Sequence, residues 1–173
     1  MSTRELLLLG DSLLAEVGWR RTQTLEDALG PAWRTFNCAT SGFTAAQSLE
    51  QAPVHARMEP AAVLVSLGTN DASIERQVTV EAFTAHLADL LVVFDGTQRV
   101  LLLPPGLHDE AAVDPYRAAA RHVAVAVGAP TIDGRELAET VRAAGGSPFV
   151  EDGVHFADAM YDALADELAA LLR

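Results

Sequence analysis

The chain has 173 residues, half of them apolar, with 12 basic and 24 acidic side chains and a formal net charge of −12. That length and apolar content suit one domain spanning residues 1–173 with a sizeable core, and exclude a disordered or collagen-like polymer. The acidic balance argues against nucleic acid or an anionic membrane surface as a partner, because phosphates would be repelled.

Short apolar runs alternate with longer segments of helical period. The expected strands are Glu5–Leu9, Arg34–Cys38, Ala62–Leu67, Arg99–Leu103 and Ala129–Ile132. Each is rich in Leu or Val, or ends at Gly, Pro, Asn, Asp or Ser, as strands buried on both faces do. Residues 13–29 read as a helix carrying Leu13, Leu14, Val17, Leu25, Ala28 and Leu29 and stopping at Gly30-Pro31. In 80–94, Phe83, Leu87, Leu90 and Phe94 share one helical face. Asp114-Pro115 resembles an N-cap with proline at the first helical position, opening a helix through Val127. A last helix, about 158–172, buries Met160, Leu164, Leu168 and Leu171. Parallel strands need crossover connections, so the alternation predicts an α/β fold. The expected architecture is a five-stranded parallel sheet in the flavodoxin-like order 2-1-3-4-5, with helices on both faces. Trp19 and Trp33 are expected to pack rather than to serve as ligand platforms.

Leu6–Leu9 is too short for a secretory leader, and no apolar run approaches the roughly 18 residues that span a bilayer. The expectation is a cytoplasmic chain without membrane insertion. Cys38 is the single cysteine and all 12 basic residues are arginine. That composition excludes an internal disulfide, a multi-cysteine zinc site, a lysine Schiff base and a P-loop lysine.

In open α/β sheets, sites form beyond the carboxyl ends of the strands where the strand order reverses. The residues there are Gly10-Asp11-Ser12-Leu13 after strand 1, Asn37-Cys38-Ala39-Thr40-Ser41-Gly42 after strand 2 and Gly68-Thr69-Asn70-Asp71 after strand 3. Each has an ordinary structural reading: serine as a helix cap, glycine for a positive-φ turn, asparagine bonded to its own backbone. Together they can do more. A hydroxyl nucleophile needs a base within hydrogen-bond reach and donors for the oxyanion it creates. The backbone N–H groups of Ser12 and Gly42 and the side-chain amide of Asn70 are three such donors.

Five histidines are candidates for the base. His86 and His122 fall inside helical segments, and His55 lies in a polar turn or short helix. His108 follows Pro104-Pro105-Gly106 after strand 4 and is the runner-up. His155 follows Asp152 by three residues across Gly153, a spacing that lets a carboxylate fold back to an imidazole N–H. The same residues also fit an Asx-type turn beside a surface histidine.

Gly10-Asp11-Ser12-Leu13, Gly42, Gly68-Thr69-Asn70-Asp71 and Asp152-Gly153-Val154-His155 resemble, in order and spacing, the four blocks of the SGNH/GDSL hydrolases. The resemblance spans nearly the whole chain. It implies Ser12 as nucleophile, His155 as general base and Asp152 as its orienting acid. It also implies an oxyanion hole from the Ser12 and Gly42 N–H groups with the Asn70 side chain, and a three-layer α/β/α sandwich. Ala39 departs from the family pattern, standing where the second block often has a glycine; we read this as a packing change.

Other hydrolase designs lack support. No Gly-x-Ser-x-Gly elbow occurs, no His-x-x-x-His motif is present, and there is no Gly-x-Gly-x-x-Gly. The expected protein is therefore a serine hydrolase of small acyl esters or thioesters, needing neither metal nor cofactor. Pro104, Leu107, Phe149 and Val150 are the pocket candidates, in a shallow groove suited to short acyl groups. The competing expectations are a flavodoxin-like binding domain for a small anion or flavin, and a catalytically silent relative serving as a partner-binding module.

Overall fold

The computed structural model describes residues 3–15, 19–105 and 110–173, with only the backbone of 19–21 and 110. The strands are β1 (Arg4–Gly10), β2 (Trp33–Asn37), β3 (Ala62–Ser66), β4 (Gln98–Leu103) and β5 (Thr131–Asp133). They form one parallel sheet in the order β2-β1-β3-β4-β5. The order 2-1-3-4-5 read from the alternation is the order found. In register, Leu6 lies beside Ala62 and Gly10 beside Ser66, which brings the ends of β1 and β3 level.

Successive side chains of a strand point to opposite faces, and β1 divides its leucines accordingly. Leu6 and Leu8 enter one core with Leu13, Leu14, Leu25, Phe156, Met160, Tyr161 and Leu164. Leu7 and Leu9 enter the other with Ala45, Phe83, Leu87, Leu90, Phe94 and Val123. The first layer therefore holds α1 (Ser12–Ala15), α2 (Trp19–Leu29), α6 (Gly134–Ala143) and α7 (Asp158–Leu172). The second holds α3 (Ala45–Ala56), α4 (Val80–Val93) and α5 (Glu110–Ala126). No helix of the described residues is long and apolar enough to cross a membrane.

Several local expectations change. The helix over 13–29 is two helices, α1 and α2, and Val17 lies outside the described residues. Asp114-Pro115 does not open α5. The helix already runs from Glu110, with Pro115 inside it, and the Asp114 carboxylate pairs with Arg117 and Arg135 instead of capping. Sequence periodicity identified neither α3 nor α6. Pro53, inside α3, reads locally as a breaker, and α6 buries only a narrow stripe of Leu137, Ala138 and Val141. Leu172 takes the buried position expected of Leu171, which is half-buried. Trp33 is a core residue, with the Arg4 guanidinium 4.0 Å above its ring; the Trp19 side chain lies outside the described residues.

Candidate active site

The carboxyl ends of β1, β2 and β3 are stitched together by hydrogen bonds between the segments that leave them. Asp11 N donates to Ser66 O at 3.1 Å, and Thr40 N donates to Gly10 O at 2.9 Å. Gly10 makes the first approach possible. Its φ is +152°, and a Cβ there would sit 2.1 Å from Ser66 O, so no other residue fits between the strands. Asn70 donates from Nδ2 to Phe43 O at 3.1 Å. The Asp71 carboxylate accepts from Ala45 N with both oxygens, at 3.0 and 3.3 Å. The loop after β3 is thereby clamped to the start of α3, carrying Asn70 and Gly42 on adjoining segments.

Ser12 is half-buried and is the first residue of α1. The cap of that helix is not Ser12 but Asp11, whose Oδ1 accepts from Leu13 N at 3.0 Å while its carbonyl accepts from Leu14 N and Ala15 N. The serine hydroxyl is thus released from the capping role that its position suggests. Gly42 holds φ at +80°, the left-handed region that favours glycine. Among the described residues, the N–H groups of Ser12 and Gly42 have no acceptor.

Asp152 and His155 form a compact unit in the turn before α7. Asp152 Oδ2 lies 2.6 Å from His155 Nδ1, and Oδ1 accepts from the N–H of Val154 at 2.8 Å and of His155 at 2.9 Å. Chiefly through the imidazole bond, then through those two N–H groups, the carboxyl is held well below its ordinary range, at about 2. The acid is therefore a carboxylate at any working pH, directed at one ring nitrogen. Val150 N donates to His155 O at 2.9 Å, and Phe149 pairs with Phe156 as an isolated antiparallel bridge. These bonds fix the backbone of the turn.

Packing joins this unit to the segment that bears Ser12. Tyr161 donates its hydroxyl to Leu13 O at 2.9 Å, inside the core that holds Leu13, Leu14 and Phe156. What is not formed, among the described residues, is a hydrogen bond between the Ser12 hydroxyl and the imidazole. Such bonds are often long before substrate binds.

Two carboxylic acids lie beneath the site. Asp11 and Asp71 are buried, at 0% and 1% exposure. Burial pushes the Asp11 carboxyl up to about 7, with the Asp71 charge adding, while the Leu13 N–H and His155 oppose. Asp71 is raised mainly by burial too, and the Ala45 N–H limits the rise. Sequence reading gave these acids no role, since desolvation is invisible until the fold closes over them.

The pocket candidates separate. Pro104 is buried at the end of β4, its ring against Gly68 (Cγ would lie 2.9 Å from a Cβ there). Phe149 packs on Phe156, with ring centroids 6.0 Å apart. Val150 is 44% exposed. Leu107 lies outside the described residues, as does His108, the runner-up base. No group of three or more His, Cys, Asp and Glu able to hold a metal occurs among the described residues.

The family model for the GDSL-like Lipase/Acylhydrolase family matches residues 8–163. The chain belongs to that family. Membership makes it an ester hydrolase of the SGNH type and accounts for the order of its four blocks. Solved structures share the fold over nearly their full length. A lipase/acylhydrolase from Enterococcus faecalis is 24% identical, with a TM-score of 0.86, covering 97% of this chain and 94% of its own. The M. smegmatis aryl esterase is 18% identical with a TM-score of 0.80, covering 97% of each chain. A catalytic mutant of an acetylxylan esterase from Geobacillus stearothermophilus is 18% identical with a TM-score of 0.81, covering 99% of this chain and 95% of its own. No curated protein sequence matches the chain.

Proposed function

We propose that this protein hydrolyses carboxylic esters or thioesters of small acyl groups through an acyl-enzyme on Ser12. His155, its Nδ1–H donated to Asp152, takes the Ser12 proton on its other nitrogen as the oxygen attacks the acyl carbonyl. The tetrahedral oxyanion is held by the Ser12 N–H, the Gly42 N–H and the Asn70 side-chain amide. The imidazolium then protonates the leaving alcohol or thiol as the carbonyl re-forms. Water repeats the sequence: His155 takes its proton, it attacks the acyl-enzyme, and the acid departs with Ser12 reprotonated.

The observation that carries this reading is the Asp152–His155 unit, with the ring orientation set at 2.6 Å. It is packed through Tyr161 against the segment that bears Ser12. Two N–H groups without acceptors, at Ser12 and Gly42, support the oxyanion role. The small acyl group is supported by the paucity of loop beyond the strands, and by solved relatives named for aryl esters and acetylxylan.

A fluorophosphonate probe tests the assignment directly. The wild type should be labelled at Ser12, with loss of esterase activity. Ser12→Ala should take no label and hydrolyse no para-nitrophenyl acetate above background. A well-folded wild type that resists labelling would instead favour a small-ligand-binding domain or a silent relative.

A further inference from the structure

We propose that Arg76 selects esters whose acyl group carries a carboxylate, such as hemiesters of short dicarboxylic acids; this rests on the Ser12 reading above. The starting observation is proximity. A Cβ added to Gly42 would stand 3.3 Å from Arg76 Nη2, which places the guanidinium against the glycine proposed for the oxyanion hole. Its place is set by successive turns leading out of that hole. Ala72 N donates to Gly68 O, Ser73 N to Asn70 O, and Arg76 N to Ser73 O, at 3.0, 3.1 and 3.0 Å. They end in a 3-10 turn over Ile74–Arg76, closed by Gln77 in the left-handed region.

The second observation concerns charge. In a chain with a net charge of −12, Arg34, Arg99, Arg117, Arg121 and Arg135 are ion-paired. Arg4 and Arg142 lie over aromatic rings, Arg173 bonds a backbone carbonyl, and Arg57, away from the site, has no ion pair among the described residues. Arg76 is exposed at the site and has no ion pair, side-chain hydrogen bond or ring contact among the described residues. Its neighbour Glu75 is not bridged to it. A guanidinium presents paired donors that match a carboxylate. With the ester carbonyl at Gly42, a carboxylate a few methylenes along the acyl chain is within the reach of such a side chain.

The test compares two substrates within each variant, so that general damage cancels. They are the para-nitrophenyl monoester of glutarate and the same compound with its free carboxylate capped as a methyl ester, read by nitrophenolate release. Wild type should favour the charged substrate by about tenfold in kcat/KM, a difference of about 1.4 kcal/mol. Arg76→Gln should erase that preference, Arg76→Lys should keep only the part due to charge, and Arg76→Glu should reverse it. Added salt should shrink the wild-type preference, as for any exposed pair. An equal fall on both substrates would overturn the proposal, because Arg76 would then act on the oxyanion common to both. A ratio that Arg76→Gln leaves unmoved would overturn it as well. Ser12→Ala separates the two levels. If it still hydrolyses both esters, the Ser12 mechanism fails; if it is inactive while the ratio stays fixed across the Arg76 variants, only the selectivity fails.

Discussion

Asp11→Asn should make the protein more stable at neutral pH than at acid pH, relative to wild type. The Asp11 side chain is buried, its Oδ1 accepts from Leu13 N, and its Oδ2 has no hydrogen-bond partner. Burial lifts the carboxyl from 3.8 to about 7. Below about pH 4 it is protonated in both folded and unfolded chains, and the position is neutral toward stability. As pH rises, the unfolded chain ionises first while the folded chain keeps its proton, so folding becomes progressively less favourable. The loss is complete near pH 7, where the folded carboxyl also ionises. At roughly 1.4 kcal/mol per pH unit, the interval from 3.8 to about 7 corresponds to about 4 kcal/mol. Asparagine keeps the acceptor and the volume but cannot ionise. Urea unfolding of both proteins at several pH values between about 4 and 8 should therefore show the difference in free energy climbing by up to about 4 kcal/mol in favour of the variant. A difference that stays constant across that range would refute the reasoning.

Asn70→Ala removes one proposed oxyanion donor and should cost roughly 2.7–4 kcal/mol, read as a fall of about 10²–10³ in kcat in a steady-state ester assay. The Asp152 carboxyl is held at about 2, so it stays ionised in a mildly acid ester assay, and its protonation should contribute no limb to the kcat/KM profile measured there. Asp152→Asn should reduce kcat by as much as about 10⁴, because the ring loses the partner that sets its tautomer. Gly10→Ala would place a methyl 2.1 Å from Ser66 O and should destabilise the fold by about 3 kcal/mol or more, measured by urea unfolding.

Much of the architecture follows from local pattern. Leu6–Leu9, Ala62–Ser66 and Val100–Leu103 are short apolar runs, legible as strands buried on both faces because every second residue must meet one core or the other. Phe83, Leu87, Leu90 and Phe94 announce α4 by spacing alone. α6 escaped notice because its buried stripe is narrow; elsewhere the reading failed where a local cue conflicts with the packing. Pro53 suggests a break within α3, and Asp114-Pro115 suggests a start within α5, yet both prolines lie inside helices held by the sheet beneath. At the site, Ser12, Gly42 and Asn70 were legible because they follow strand ends at positions that chain order alone specifies. The Asp152–His155 bond closes within one turn, as the three-residue spacing across glycine allows, but that spacing fits an Asx-type turn equally, and the roles proposed for the two residues come from the family resemblance.

Taken by itself, the amino-acid order settles much of what depends on neighbours along the chain: the buried strands, the helices with a broad apolar face such as α4 and α7, the parallel crossover pattern and the family to which the four blocks belong. Tertiary structure decides what depends on distance through space. It buries Asp11 and Asp71 together beneath the site, ties Leu13 to Tyr161 across 148 positions, and sets the Arg76 guanidinium against Gly42. Desolvation and Coulomb interactions act between groups that the fold brings together and water leaves, and their strength depends on that environment rather than on sequence separation.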